Sequence, residues 1–166
     1  MILHLPSLWM IAINIIVWLC IHVGVSVSIS VKEQSAFNPE AWLYRERDWE
    51  KSGRIYEVIL KIKGWKRYLP DGAAVSRSGF RKKHLQNYDA AYIQKFIAET
   101  CRAELTHWII LAFSIIFFIW NIWWVGIIMI IYASTVNIPC VITQRYNRVR
   151  LKKLLITNNK LGHAIY

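Results

Sequence analysis

In the stretch "ETCRAELTHWII", Glu99 to Ile110, Glu104 and His107 stand three residues apart at the edge of a long apolar run. On a helix that step lets a carboxylate reach an imidazole. Both groups are costly to bury unless they are paired. Two readings follow. One is a satisfied interfacial pair that clamps a helix against its neighbours. The other is a general base with its orienting carboxylate, since ionisable groups near membrane depth are often functional. Cys101 falls on the same side of the helix. Farther back, Asn14 and His22 interrupt an apolar stretch and suit hydrogen bonds to a neighbouring helix.

The elements that carry these residues are set by how charge is distributed. The chain has 166 residues, 55% hydrophobic, with nine Trp and a net charge of +11. No Asp, Glu, Lys or Arg occurs from Met1 to Val31 or from Leu105 to Gln144. A spanning helix needs about 20 apolar residues. The first block supplies one, roughly Leu8 to Ser28, and it lacks the basic start of a signal peptide. The second block, 40 residues, is long enough for two. Its middle, "WNIWWVG" (Trp120 to Gly126), gathers residues that suit the headgroup level. The expected hairpin runs as helix to about Ile119, turns near Asn121, and is helical again to about Val141, where Pro139 kinks or ends it. One long tilted span with a buried extension is the other reading.

The fold class expected is thus an all-α integral membrane protein with three transmembrane helices. An N-terminal helix lies in residues 1–31, a basic, partly interfacial helical segment in 32–104, a transmembrane hairpin in 105–144 and a basic tail in 145–166. All 21 Lys and Arg fall in the segment and the tail. The positive-inside rule places both in the cytoplasm and the N-terminus outside. Topology accounts for the net charge, so nucleic acid is not an expected partner. Cys20, Cys101 and Cys140 form no CxxC or zinc spacing, and no metal site is expected.

Within the segment, "FNPEAWLYRERDWEKSG" (Phe37 to Gly53) carries helix punctuation: Asn38 as cap, Pro39 at the first position, Gly53 as stop. Ile55, Ile59 and Ile62 then share one face amid Lys61, Lys63, Lys66 and Arg67. That is the pattern of a helix lying on an anionic membrane, with Trp42, Trp49 and Trp65 dipping into the interface. A longer helix starts with Asp89 as its cap. Its stripe of Ile93, Phe96/Ile97, Thr100/Cys101, Trp108 and Leu111 encloses Glu104 and His107, which therefore lie on the face that packs.

"CRAELTHW" followed by "NIPCVITQRYNRVRL" resembles the glycosyl-4,4'-diaponeurosporenoate acyltransferase family of small bacterial membrane proteins. The resemblance takes in "FNPEAWLYRERDWEKSGRIYEVILKIKGWKRYLPDGA" and "GFRKKHL" and covers roughly residues 37–151. It implies an enzyme that esterifies a sugar hydroxyl of a glycolipid, a glucosylated C30 carotenoid acid in the family, with a fatty acyl group. The implied partners are the bilayer, a glycosylated polyprenoid or other glycolipid acceptor, and acyl-CoA or acyl carrier protein as co-substrate, with no further cofactor. The implied location is the bacterial cell membrane.

For that chemistry His107 is the expected base, as the one histidine on the packed face of a span at the basic side, with Glu104 orienting it. "HLQNYD", His84 to Asp89, spells the HxxxxD of glycerolipid acyltransferases and is a competing base. Asp71, in "LPDG", is either a turn residue or an acid/base. In "QRYNRVR", Arg145 and Arg148 are either a cytoplasmic anchor or the grip on a donor phosphate, and Asn147 and Arg102 complete the expected substrate-binding set. The rival to an enzyme is a non-catalytic membrane accessory or scaffold protein.

Overall fold

The computed structural model describes residues 7–69 and 90–163. Asp71, His84 and Asp89 lie outside them. The described residues are helical, without strands. Helix α1 spans Ser7–Ser30, α2 Arg54–Val58, α3 Ile62–Trp65, α4 Ala90–Phe113 and α5 Trp123–His163. Short 3-10 turns lie at Gln34–Ala36, Asp48–Gly53, Lys66–Tyr68 and Ser114–Phe118. Three stretches are long and apolar enough to cross a membrane: Leu8–Ser30, Ala90–Phe118 and Trp123–Thr157. The expected architecture of one N-terminal span and a hairpin is therefore present.

The chain forms two compact units. One comprises Met1–Lys32 and Leu105–Val141, the other Glu33–Glu104 and Ile142–Tyr166. Helices α4 and α5 each contribute to both.

In the first unit, Leu8, Ile15, Ile16, Leu19, Val23 and Val27 of α1 are exposed, as suits a face turned to hydrocarbon. The interior is built around aromatic and amide groups. The Trp18 ring lies 4.7 Å from that of Phe117, and its Nε1 donates to Met129 Sδ at 3.2 Å. Asn14 and Asn121 exchange amide hydrogen bonds of 3.0 and 2.9 Å, and Trp120 Nε1 donates to Asn14 Oδ1 at 2.8 Å. Asn14 thus finds hydrogen-bond partners, but in the turn of the hairpin and not on a neighbouring helix. That turn lies where the sequence put it, with Asn121 N–H bonded to Phe117 O. Gly126, in the first turn of α5, lets the Phe118 ring pack close, since a Cβ would stand 2.6 Å from that ring and displace it.

Pro139 neither ends the last helix nor separates it from the tail. Helix α5 runs 41 residues through it, about 60 Å. A proline removes one backbone bond, but an apolar environment offers the backbone nothing better than the remaining ladder. The Thr135, Asn137 and Cys140 side chains also donate to carbonyls one turn back, at Ile131, Ala133 and Val136. Beyond Thr143, Arg and Lys are good helix formers and prolong it.

In the second unit, Tyr56, Ile62 and Tyr146 form one buried cluster, and Ile93, Ile97 and Leu151 another. Two helices expected from the sequence are absent as such. Residues 39–45 are turns and bends. Asn38 Oδ1 does accept the Glu40 N–H at 2.9 Å, but the helix does not propagate. The carbonyls of Leu43, Tyr44 and Arg45, which a helical ladder would use, accept instead from the guanidinium groups of Arg145 and Arg148. The surface helix carrying Ile55, Ile59 and Ile62 is broken too, with Lys61 in the left-handed region (φ 47°). Ile62 is consequently buried in protein, whereas Ile59 is exposed. Trp42 and Trp49 are exposed, but Trp65 is half-buried and donates to Leu60 O at 2.7 Å.

Candidate functional site

The packed face of α4 is real: Ile93, Ile97, Thr100, Cys101 and Glu104 are all buried. Trp108 is the exception, with 38% exposure, and the stripe continues instead through Ile110, Ser114 and Phe117. The opening pair, however, is divided between different partners.

Glu104, with 0% exposure, accepts from two arginines one helical step apart on α5. Its Oε1 takes Arg145 Nη1 at 2.9 Å, and its Oε2 takes Arg148 Nη2. Glu50, also buried, takes Arg145 Nε at 3.1 Å and Arg145 Nη2. Arg145 further donates to the carbonyls of Leu43 and Arg45, each at 3.0 Å. A guanidinium has five N–H groups, and these five contacts use them all. Arg148 donates from Nε to Tyr44 O at 3.1 Å and lies 3.7 Å from Cys101 Sγ. Among the described residues these two carboxylates and two guanidinium groups balance in charge, the condition under which charge is tolerable in a dry interior. Tyr56 packs beside it, and burial together with the Glu50 carboxylate pushes its hydroxyl well above the ordinary tyrosine value. Arg145 and Arg148 thus hold the 38–50 segment through these bonds.

The other proposed binders are dispersed within this unit. Arg102 Nε lies 3.2 Å from Glu99 Oε2, and the Arg102 guanidinium sits 4.6 Å over the Phe37 ring. Asn147 Oδ1 accepts from Lys66 Nζ at 2.9 Å. The unit also has an open groove of about 580 Å³, walled by Phe37, Pro39, Ile97, Leu155 and Ile156, with Lys152 on its rim.

His107 belongs to the first unit. Its Nδ1 lies 2.9 Å from Oδ1 of Asn137, a buried residue of α5. The Asn137 amide nitrogen donates to Ala133 O at 2.9 Å. So His107 has an orienting partner, but it is an amide and not the Glu104 carboxylate. Asn137 is the residue beside His107 that sequence reasoning passed over. It opens the motif "NIPC", and its signal was a lone amide in an apolar span, where a polar side chain requires a partner. Among the described residues no group of three or more His, Cys, Asp and Glu could hold a metal ion.

Comparison with known proteins completes the site's context. A family profile described as glycosyl-4,4'-diaponeurosporenoate acyltransferase matches residues 40–157, from the turns at Glu40 through both helices of the hairpin. Proteins of that name from Staphylococcus aureus strains bovine RF122 / ET3-1 and MRSA252 are each 32% identical over 138 residues, 83% of this chain and 83% of theirs. The one from strain N315 is 31% identical over the same length. No solved structure gives a significant match. On the extent of these matches, of which the profile's takes in Glu104, His107, Asn137, Arg145 and Arg148, the chain belongs to the glycosyl-4,4'-diaponeurosporenoate acyltransferase family.

Proposed function

We propose that this acyltransferase esterifies a sugar hydroxyl of a glycosylated polyprenoid lipid with a fatty acyl group, using His107 as general base. The observation that carries this reading is His107 itself: a half-buried imidazole on a membrane-spanning helix, held by a second side chain rather than left to solvent. The name of the relatives supplies the acceptor class, a glycosylated diaponeurosporenoate. The donor is a thioester, acyl-CoA or acyl carrier protein. Both carriers are acidic, and a segment with 15 Lys and Arg between Lys32 and Arg102 suits either.

In the reaction the free imidazole nitrogen takes the sugar hydroxyl proton while the oxygen attacks the thioester carbonyl. A C–O ester bond forms, the C–S bond breaks, and the proton passes to the leaving thiolate. A base placed this way contributes about 10²–10⁴ in rate. The protein is oriented with its N-terminus outside and its basic segments in the cytoplasm, where the donor is found.

The test is to purify the chain alone in detergent and supply an acyl-CoA with a glucosylated polyprenoid acid. Mass spectrometry should show the ester. If the purified chain makes none, with either acyl-CoA or acylated carrier protein, while membranes containing it with its pathway partners do, the scaffold reading replaces this one.

A further inference from the structure

We propose that Asn137 is a positioning residue for His107, fixing the imidazole in the Nδ1-protonated form so that Nε2 is the proton acceptor. The inference rests on the reading of His107 as base and adds which nitrogen acts and what decides it.

The argument is one of hydrogen-bond polarity. Asn137 is 1% exposed, so its amide has to find partners inside the protein. One face of that amide points at the Ala133 carbonyl, 2.9 Å away and one turn back on the same helix. A carbonyl oxygen only accepts, so the amide group facing it is the NH₂. Turning the amide over would set two oxygens against each other. Its Oδ1 is therefore the atom 2.9 Å from His107 Nδ1. That oxygen also only accepts, so Nδ1 carries the hydrogen. A neutral imidazole has one N–H, and Nε2 is left with its lone pair.

The polarity thus runs from α5's own backbone, through Asn137, to His107 on α4. A local bond between residues four apart holds the amide's orientation. This is the role that a carboxylate has in other imidazole-based acyl transfer sites, where it holds the tautomer and ring direction. An amide does so without placing a second charge in an apolar span.

The test has two arms. First, the chain is purified in detergent with ring-¹⁵N histidine, and the His107 signals are assigned by their loss in His107→Ala. The ¹⁵N shifts should report protonated Nδ1 and unprotonated Nε2 at neutral pH. In Asn137→Leu, which keeps volume and removes the acceptor, the signals should move toward a mixture of tautomers. Second, Asn137→Leu and Asn137→Ala should lower kcat by about 10–100-fold, the range for residues that orient a functional imidazole, with KM changed far less. Protonated Nε2 in the wild-type protein overturns the inference whatever happens to the variants. If His107→Ala is then inactive, the base reading survives that failure. Protonated Nδ1 together with a fully active His107→Ala protein overturns both, because no base remains to be positioned.

Discussion

At the scale of residues, one carboxylate and one imidazole three positions apart have separate occupations. Glu104 holds two arginines, and its loss is chiefly a matter of stability. Glu104→Gln leaves the buried Arg148 and the partly buried Arg145 short of a counter-charge, and removing one member of a buried ionic set costs about 3–5 kcal/mol. The expected result is a large drop in the thermal midpoint in detergent, with His107→Ala close to wild type. Equal midpoints for Glu104→Gln and wild type would contradict the assignment. The sequence made both residues legible as lying on the packed face, because they recur at helical spacing with Ile93, Ile97 and Cys101. It did not reveal their partners. Arg145 and Arg148 are 41 and 44 residues from Glu104, and periodicity within one helix carries no information about another.

At the scale of elements, the segment between the first and second spans departs most from its sequence pattern. Capping residues and proline at the first turn announce a helix after Asn38, but the carbonyls at 43–45 are drawn to arginines distant in sequence. Local propensity is worth tenths of a kcal/mol per residue, less than a charge-assisted bond to a buried guanidinium. Gly53 was legible as a stop, and it ends a 3-10 turn at φ 84° with Val149 Cγ1 3.2 Å from where a Cβ would stand. Gly53→Ala should cost about 1–2 kcal/mol from the left-handed backbone alone, read as a lower melting midpoint. An unchanged midpoint would mean the turn relaxes freely.

Helices α2 and α3 are further joined by Lys63 Nζ on Glu57 Oε2 at 2.8 Å, and Tyr146 donates its hydroxyl to Glu57 Oε1 at 2.7 Å. The hydrogen bond from Lys63, then that from Tyr146, hold the Glu57 carboxyl below its ordinary value. The linkage is therefore fully present above the unfolded carboxylate pKa, about 4.3, and is lost as pH falls through the lower folded value. Hydrogen exchange over residues 54–68 should be slower than in Glu57→Gln at pH 7, and that difference should vanish as pH falls through the folded value. If the two proteins differ equally at pH 7 and pH 3, the pairing has no such role.

At the scale of the whole molecule, the three spans were the most legible feature. They follow from two charge-free blocks, and only their ends differ from expectation. The hairpin closes at Asn121, and the last helix passes Pro139 to His163. Orientation is the further step. With three spans, reporter fusions should place the N-terminus outside and the C-terminus inside, as the segregation of all Lys and Arg requires. Two cytoplasmic ends would remove one span from the account.

The central claim is that His107 performs acyl transfer as the base. The most direct measurement compares turnover of purified wild-type and His107→Ala protein, at equal folded concentration, with a defined acyl donor and a glucosylated polyprenoid acid. The account predicts a loss of about 10²–10⁴ in kcat with little change in the melting midpoint. Wild-type turnover in the folded His107→Ala protein would contradict it.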